Sequence, residues 1–250
     1  MEKRQEKVVI GPSTGWLYAR NLMAVEAHER VLRSAGATCF EICLSGWNEN
    51  DLRLQSLQEA TFNDVYAYRS LHLPDFDAGI GVPEQLSVAS RLTTHHRIAA
   101  AVMHPLRVAG EYPRHFYEQM LAAGVPLAFE NMDHNKTSGF VLSDLEALLR
   151  LPGSRFVLDL QHAYEHDPSM KYAEDIFGAV HPALSHLHVS GESDMASHSL
   201  VHKARNAKAV VDFLATVMAR HPVPIVLEGF YETWEDLFQE IVFLRRELGL

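Results

Sequence analysis

The apolar residues of the chain concentrate in eight short runs, and these runs alternate with longer stretches in which apolar positions recur at helical spacing. Within each run the apolar residues are nearly continuous, which is typical of parallel strands that are covered on both faces. We therefore predict eight strands, at 8–13, 38–44, 65–74, 98–104, 126–131, 156–160, 184–190 and 224–229.

The stretches between the runs predict helices, three of which have N-cap candidates: Asn50 or Asp51, Ser143 and Thr233. The predicted helices cover about 16–35, 52–60, 84–92, 114–124, 143–150, 170–179, 207–220 and 233–248. Eight strand–helix units in 250 residues match one (β/α)₈ TIM barrel. An open doubly wound sheet would carry a Gly-rich turn after the first strand, and GPSTGWLY lacks the G-x-G-x-x-G fingerprint. We predict a single TIM-barrel domain over 1–250.

Composition narrows the class of protein. Apolar residues make up 47% and charged residues 22%, which is ordinary for a water-soluble domain with a full core. The net charge of −10 disfavours a nucleic-acid partner, which needs a basic surface. No run reaches the ~18 apolar residues of a membrane span, and MEKRQEKVVIGPS lacks the apolar core of a secretory signal. Cys39 and Cys43 lie four apart in one predicted strand, too far to bridge, so we expect reduced thiols and a cytoplasmic protein.

Candidate chemistry lies at the ends of the apolar runs, where seven ionisable residues follow one another at gaps of 31, 32, 26, 29, 29 and 40 residues. A βα unit takes about 25–40 residues, so in a closed barrel we expect all seven side chains at the end that holds active sites. The seven residues are Glu41, His72, His104, Glu130, Asp159, His188 and Glu228.

Carboxylates and imidazoles at a strand end are costly to bury, and a divalent cation satisfies several of them at once. Mixed Glu, Asp and His ligands suit Mn²⁺, Fe²⁺, Co²⁺ or Zn²⁺, and Mg²⁺ with more oxygen and water. The four predicted ligands of one ion lie on successive strands: Glu130, Asp159, His188 and Glu228. His72 and His104 could hold a second ion with Glu130, although a lone His in an apolar run is more often a hydrogen-bonded core residue.

Several other polar residues have more than one possible role. His186 points to the same side of its strand as His188, and we expect it to pack deeper in the barrel. His162 could orient substrate, join a second metal or cap a helix. His198 and His202 lie in a long loop after the seventh strand, as lid, metal or surface residues. Glu41 is either a structural or a substrate-orienting acid.

Four of these segments resemble those of the xylose isomerase-like TIM barrels, a superfamily of sugar isomerases, sugar epimerases and endonuclease IV-type apurinic-site nucleases. The resemblance covers essentially the whole chain. It rests on FEN with Glu130, DLQH with Asp159 and His162, HLHVSGES with His188, and LEG with Glu228.

In ketose 3-epimerases of this superfamily the matching four residues bind one Mn²⁺ or Co²⁺, and two glutamates act as acid and base. The resemblance therefore implies that Glu130 and Glu228 face a small sugar, sugar phosphate or related hydroxy-carbonyl compound from opposite sides. One would remove a proton next to the carbonyl and the other would return one, while the metal polarises the carbonyl. The residues expected to contact the substrate are Glu41, Asn131, His162 and His198.

The endonuclease IV branch is a rival, because it uses histidines after strands 3 and 4 that match His72 in SLHLP and His104 in MHP. Those nucleases hold three zinc ions and cleave a phosphodiester. They also carry an Asp-x-His after strand 7, and ESDMASHSLVH has no such spacing. Multinuclear iron barrels that oxidise peptide cysteines, with an ENx run similar to ENM, are a third resemblance, and a barrel that only binds a small ligand is a fourth alternative. The substrate, the native metal and the presence of a homo-oligomer stay open.

Overall fold

Eight parallel strands form one sheet in the computed structural model, which describes residues 8–14, 35–44, 46–47, 66–231 and 233–249. Every strand pairs with its neighbour in sequence from β2 to β8, and β8 pairs with β1. The strands are β1 (Ile10–Pro12), β2 (Cys39–Cys43), β3 (Tyr68–His72), β4 (Ala100–Met103), β5 (Leu127–Glu130), β6 (Arg155–Asp159), β7 (Leu184–Val189) and β8 (Ile225–Leu227).

Seven α-helices are described, and each lies in the sequence after one of the strands β3 to β8, with two helices after β6. They are α1 (Val82–His95), α2 (Arg114–Ala122), α3 (Leu142–Leu149), α4 (Leu160–His166), α5 (Lys171–Val180), α6 (Ala207–Arg220) and α7 (Trp234–Glu247). The predicted helix at 52–60, and all but the last residue of the one at 16–35, lie outside the described residues. The predicted (β/α)₈ barrel is confirmed in the described part of the chain.

The ring nearly closes where β1 approaches β2. Thr38 N donates to Ile10 O at 2.8 Å, and Thr14 N donates to Glu41 O at 3.0 Å. Gly11 permits this approach, because a Cβ at that position would lie 1.9 Å from the carbonyl oxygen of Cys39. Glycine is therefore required at the seam of the barrel.

A small apolar cluster made only of strand residues lies apart from the main core. It contains Ala100, Val102, Ala128 and Val157, with Tyr68 packed against it. Since side chains two apart on a strand face the same side, the residues two beyond Ala128 and Val157 face the same interior at the carboxyl end of the sheet. These residues are Glu130 and Asp159. The apolar cluster thus lies below the carboxylates of Glu130 and Asp159.

The helix caps agree with the sequence at one position and differ at another. Thr233 caps α7 as predicted, in a capping box with Asp236. The predicted Ser143 cap is wrong, because α3 begins at Leu142 and Val141 takes the N-cap position without a side-chain bond. The apolar spacing of SDLEALLR continues one residue upstream, so the helix starts before the serine.

Cys39 and Cys43 are not joined in a disulfide, in agreement with the prediction. Among the described residues, no helix is both long and apolar enough to cross a membrane.

Candidate metal centre

Six of the seven ionisable residues lie at the carboxyl end of the sheet. His72, Glu130 and Asp159 are the last residues of β3, β5 and β6, and His188 is the last but one of β7. His104 and Glu228 directly follow β4 and β8. Glu41 differs, because it is the middle residue of β2 and pairs in register with Ser70, two residues below His72. The strand register therefore places Glu41 one layer deeper than the others.

The four predicted ligands come together in one group. Each of Glu130, Asp159, His188 and Glu228 offers a ligand atom, and these atoms all lie within 4.8 Å of one another. His188 Nδ1 lies 3.0 Å from a carboxylate oxygen of Glu130 and 3.4 Å from one of Glu228. Three of the four residues are at most 1% exposed. We call this set the four-residue group.

Asp159 carries an observation that points to a cation. Its Oδ2 is buried and has no hydrogen-bond partner, although buried polar atoms almost always have one. Its other oxygen accepts from His162 N at 2.7 Å and caps α4. A divalent ion among three carboxylates and an imidazole would satisfy the orphaned oxygen, so the residues present fit such an ion.

Asn131 and His162 hold this aspartate from two sides. The Asn131 side chain accepts from Asp159 N at 2.8 Å and donates to Asp159 O at 2.9 Å. His162 Nδ1 bonds to Asn131 O at 2.8 Å and lies 3.5 Å from Glu130 Oε1. In this structure Asn131 fastens the end of β5 to β6, and Asp159 rather than His162 is the helix cap. Substrate contact by either residue stays a prediction.

A second group, which we call the histidine group, consists of His72, His104 and Glu130. The Nε2 atoms of the two histidines lie 3.2 Å and 3.6 Å from Glu130 Oε2. Their Nδ1 atoms bond elsewhere, in His72 to Leu73 O at 3.0 Å and in His104 to Asp75 Oδ1 at 2.7 Å. Partners of this kind orient imidazoles as metal ligands, so the group could hold a second ion that shares Glu130.

The buried charges shift one another strongly. Burial raises the pKa of Glu228 to about 8, with help from the carboxylates of Glu130 and Asp159 and against the charge of His188. Burial also favours the neutral form of Glu130, but the charge of His188 and hydrogen bonds from His188 and His72 hold the pKa of Glu130 well below its usual range. Two neighbouring carboxyls therefore differ in protonation at neutral pH.

A cavity of about 570 Å³ adjoins the histidine group. His72 and His104 line it together with Asp75 and with the apolar side chains of Trp47 and Phe76. The cavity is large enough for a small organic substrate. A substrate there would lie against His72 and His104, whose Nε2 atoms lie 3.2 Å and 3.6 Å from Glu130.

The two loop histidines after β7 face different partners. His198 bonds to Ser190 through Nδ1 at 3.0 Å, and its ring lies 5.4 Å from that of His162, so it is close to the site. His202 bonds to the buried Glu240 of α7 at 2.6 Å. Of the pair, only His198 is near the candidate ligands.

Sequence reasoning missed three polar residues that support the site. Asp75 partners His104, Ser70 donates to Glu41 at 2.8 Å, and Tyr68 bonds to His186 at 2.8 Å. Tyr68 and Ser70 precede His72 by four and two residues, so strand alternation places all three on one side. The alternation of side chains along β3 could therefore have identified Tyr68 and Ser70 from the sequence. Asp75 lies in a loop, and no pattern in the sequence pointed to it.

Comparisons with known proteins agree with this fold. No protein-family model matches the chain, and no curated protein does. Among solved structures, a D-tagatose 3-epimerase-like protein is similar over 97% of each chain, with 12% identity and a TM-score of 0.69. Endonuclease IV from Thermus thermophilus is similar over 91% of this chain and 95% of its own, with 16% identity and a TM-score of 0.63. A xylose isomerase domain containing protein from Salmonella typhimurium is similar over 98% of each chain, with 14% identity and a TM-score of 0.65.

The chain therefore has the fold of the xylose isomerase-like barrels, in agreement with the resemblance of its motifs. At 10–16% identity this likeness establishes the fold. Function has to be argued from the site.

Proposed function

We propose that the protein is a divalent-metal-dependent isomerase or epimerase of a small sugar, sugar phosphate or related hydroxy-carbonyl compound. The observation that carries the proposal is the four-residue group, in which three carboxylates and one imidazole converge within 4.8 Å at the end of the barrel where such folds keep their chemistry. The orphaned Oδ2 of Asp159 supports a cation at this place.

The chemistry follows from the two glutamates. A bound divalent cation would polarise the substrate carbonyl. In the absence of an ion, the pKa of Glu130 lies well below its usual range and that of Glu228 is raised to about 8. Carboxyls whose surroundings push their pKa values apart are the usual acid and base pair of proton-transfer enzymes. We propose Glu130 and Glu228 as this pair, with one removing a proton next to the carbonyl and the other returning one.

The structural neighbours support the class of reaction. Besides the D-tagatose 3-epimerase-like protein, they include an L-ribulose 3-epimerase with 12% identity and a TM-score of 0.65. The cavity lined by His72 and His104 has the size of a small-molecule site.

A second candidate function is a two- or three-metal phosphoester hydrolase. The histidine group favours it, because a carboxylate shared by two ions is the arrangement that two-metal hydrolysis needs. The likeness to endonuclease IV adds support. The net charge of −10 weighs against a DNA substrate.

Exchange with solvent deuterium separates the two functions. The metal-loaded protein is incubated in D₂O with a panel of ketoses, ketose phosphates and phosphodiesters, and products are analysed by NMR and mass spectrometry. We expect deuterium at the carbon next to the carbonyl of one ketose. Phosphate ester cleavage without such exchange would contradict the epimerase and support the hydrolase. The Glu130→Gln variant is the control for contaminating enzymes.

A further inference from the structure

The two nitrogens of His188 face two different sets of carboxylates. Nδ1 lies 3.0 Å from Glu130 and 3.4 Å from Glu228, within the four-residue group. Nε2 lies 3.2 Å from Oε2 of Glu41 on the opposite side of the ring. A neutral imidazole carries one N–H and one lone pair, and the partner of one nitrogen decides which is which. Glu41 is therefore placed to choose the ligating nitrogen of His188.

Glu41 can act on His188 only as an acceptor. It is fully buried, and its Oε2 already accepts from Ser70 Oγ at 2.8 Å. A carboxylate has no proton to donate, so it favours the form of His188 in which Nε2 carries the proton. In that form the lone pair of His188 lies on Nδ1, the nitrogen that faces Glu130 and Glu228. Carboxylate–histidine–metal arrangements of this kind fix the ring and strengthen the ligand.

A further link continues from Glu41 into the apolar interior. His186 Nε2 lies 3.1 Å from His188 Nε2 and 3.5 Å from Glu41 Oε2, and its Nδ1 bonds to the hydroxyl of Tyr68 at 2.8 Å. If His186 Nδ1 donates to Tyr68, whose hydroxyl has Ser185 Oγ at 3.0 Å to donate to, the lone pair of His186 lies on Nε2 and can accept from His188 Nε2. His186 and Tyr68 then favour the same form of His188 as Glu41 does. The mechanism proposed above does not use Glu41, His186 or Tyr68.

We propose that Glu41 is a positioning residue that holds His188 with its Nδ1 free for the metal, and that the Tyr68–His186 pair supports the same form of His188 from below. The inference rests on the proposed metal centre. The other reading of the cluster is an ion of its own, because ligand atoms of Glu41, His186 and His188 also lie within 4.8 Å of one another. That ion would have three protein ligands in a fully buried place. The hydrogen-bonded chain explains the contacts of Glu41 Oε2 without an ion, whereas Glu41 Oε1 is buried without a hydrogen-bond partner. The number of ions bound per chain decides between the two readings.

The test compares Glu41→Gln with Glu240→Gln. Both residues are buried glutamates, at 0% and 1% exposed, but Glu240 accepts from Val201 N and the His202 loop instead of a candidate ligand. A glutamine at position 41 can donate to His188 Nε2 and so move the proton to Nδ1. We expect Glu41→Gln to weaken Mn²⁺ binding by roughly 10–100-fold, measured by chelator competition, with the number of ions per chain unchanged. Glu240→Gln should bind as tightly as the wild type.

A second readout needs no metal. In the metal-free protein, ¹⁵N spectra of the imidazole rings are recorded on the high-pH side of the His188 titration, with the signal identified by its loss in His188→Gln. The wild type should carry the His188 proton on Nε2, and Glu41→Gln should shift it to Nδ1. This comparison stands even if the protein binds no ion, in which case only the proposed function fails.

Three results would overturn the inference: equal Mn²⁺ affinity of Glu41→Gln and the wild type, an unchanged His188 tautomer, or loss of one of two bound ions, which would make Glu41 a ligand. Tyr68→Phe removes a single hydroxyl and keeps Glu41. It should weaken Mn²⁺ binding less than Glu41→Gln but more than Glu240→Gln. If Glu41→Gln does not fold, Tyr68→Phe decides by the same two readouts.

Discussion

The four-residue group and the histidine group share Glu130 but differ in how their other atoms are satisfied. In the four-residue group, Asp159 has a buried oxygen without a hydrogen-bond partner, and the most exposed side chain is that of Glu228, at 18%. In the histidine group the side chain of His104 is 22% exposed, and the Nδ1 atoms of His72 and His104 are bonded to Leu73 O and Asp75 Oδ1. The first group therefore contains a buried acceptor that a cation would satisfy, whereas in the second group each imidazole already has a hydrogen-bond partner at Nδ1.

This difference ranks the two groups as candidate sites for the resident metal. A buried acceptor without a partner is costly, so the four-residue group gains most from an ion. The histidine group adjoins the 570 Å³ cavity and is placed to meet substrate. We therefore expect the first group to hold the resident metal. Four experiments, given from the largest to the smallest expected effect, test this ranking.

Glu130→Gln should disrupt both groups at once, because Glu130 belongs to each of them. We expect the variant to retain no stoichiometric metal after desalting and to lose all activity. Elemental analysis and the deuterium-exchange assay are the measurements. A variant that keeps both metal and activity would show that the site is wrongly assigned.

Asp159→Asn should break the four-residue group alone. Asparagine is as good an N-cap as aspartate, so α4 should stay intact and the melting temperature should change little. The orphaned oxygen becomes an amide that cannot neutralise a cation. We expect metal affinity to fall by about 100-fold or more, since even partners outside the ligand set cost 10–100-fold. Chelator competition and thermal unfolding measure the two properties, and unchanged affinity would remove the main support for this group.

Metal affinity should depend on pH through Glu228. The pKa of its carboxyl is raised to about 8, so below that pH a proton occupies a ligand position and must leave when the ion binds. Affinity should then rise from pH 6 to pH 8 by roughly tenfold per pH unit for each displaced proton. Burial favours the neutral form of His188, but the carboxylates of Glu228, Glu41 and Glu130 raise its pKa well above the usual value, so the proton that leaves His188 should extend the rise. Calorimetry in buffers of different ionisation enthalpy counts the released protons. Affinity that is flat over this range would contradict Glu228 as a ligand.

His104→Gln should have the smallest effect on metal. If one resident ion lies in the four-residue group, affinity should change by less than about tenfold, the least expected for loss of an outer partner. Because His104 lines the cavity, KM for substrate should rise instead. Loss of one ion per chain in this variant would show that the histidine group holds metal and would favour the hydrolase.

The strand ends were predictable because the chain repeats one unit. Glu130 and Asp159 each close an apolar run, and a parallel barrel brings all such ends to one face. The same logic predicted the (β/α)₈ fold and the proximity of His188. The Thr233 cap was predictable from purely local chemistry.

The depth of Glu41 in the barrel and the loop partner of His104 were not predictable in the same way. Glu41 also lies in an apolar run, but the pairing of Glu41 with Ser70 rather than His72 puts it below the metal centre. Such a register is decided by side-chain packing across strands, which a single run does not reveal. Asp75 meets His104 only through the path of a loop, and loop paths follow from tertiary packing. The Ser143 cap failed because helix boundaries vary by a residue or two.

The metal content of the purified protein tests the central claim most directly. Elemental analysis after removal of loosely bound ions should find one divalent ion per chain, with Mn, Co or Mg favoured for an epimerase. Two or three Zn or Fe ions per chain would shift the assignment to the hydrolase or to an iron oxidase. A protein that holds no metal, even after reconstitution with each of these ions, would contradict the metal centre itself and leave a barrel that binds a small ligand.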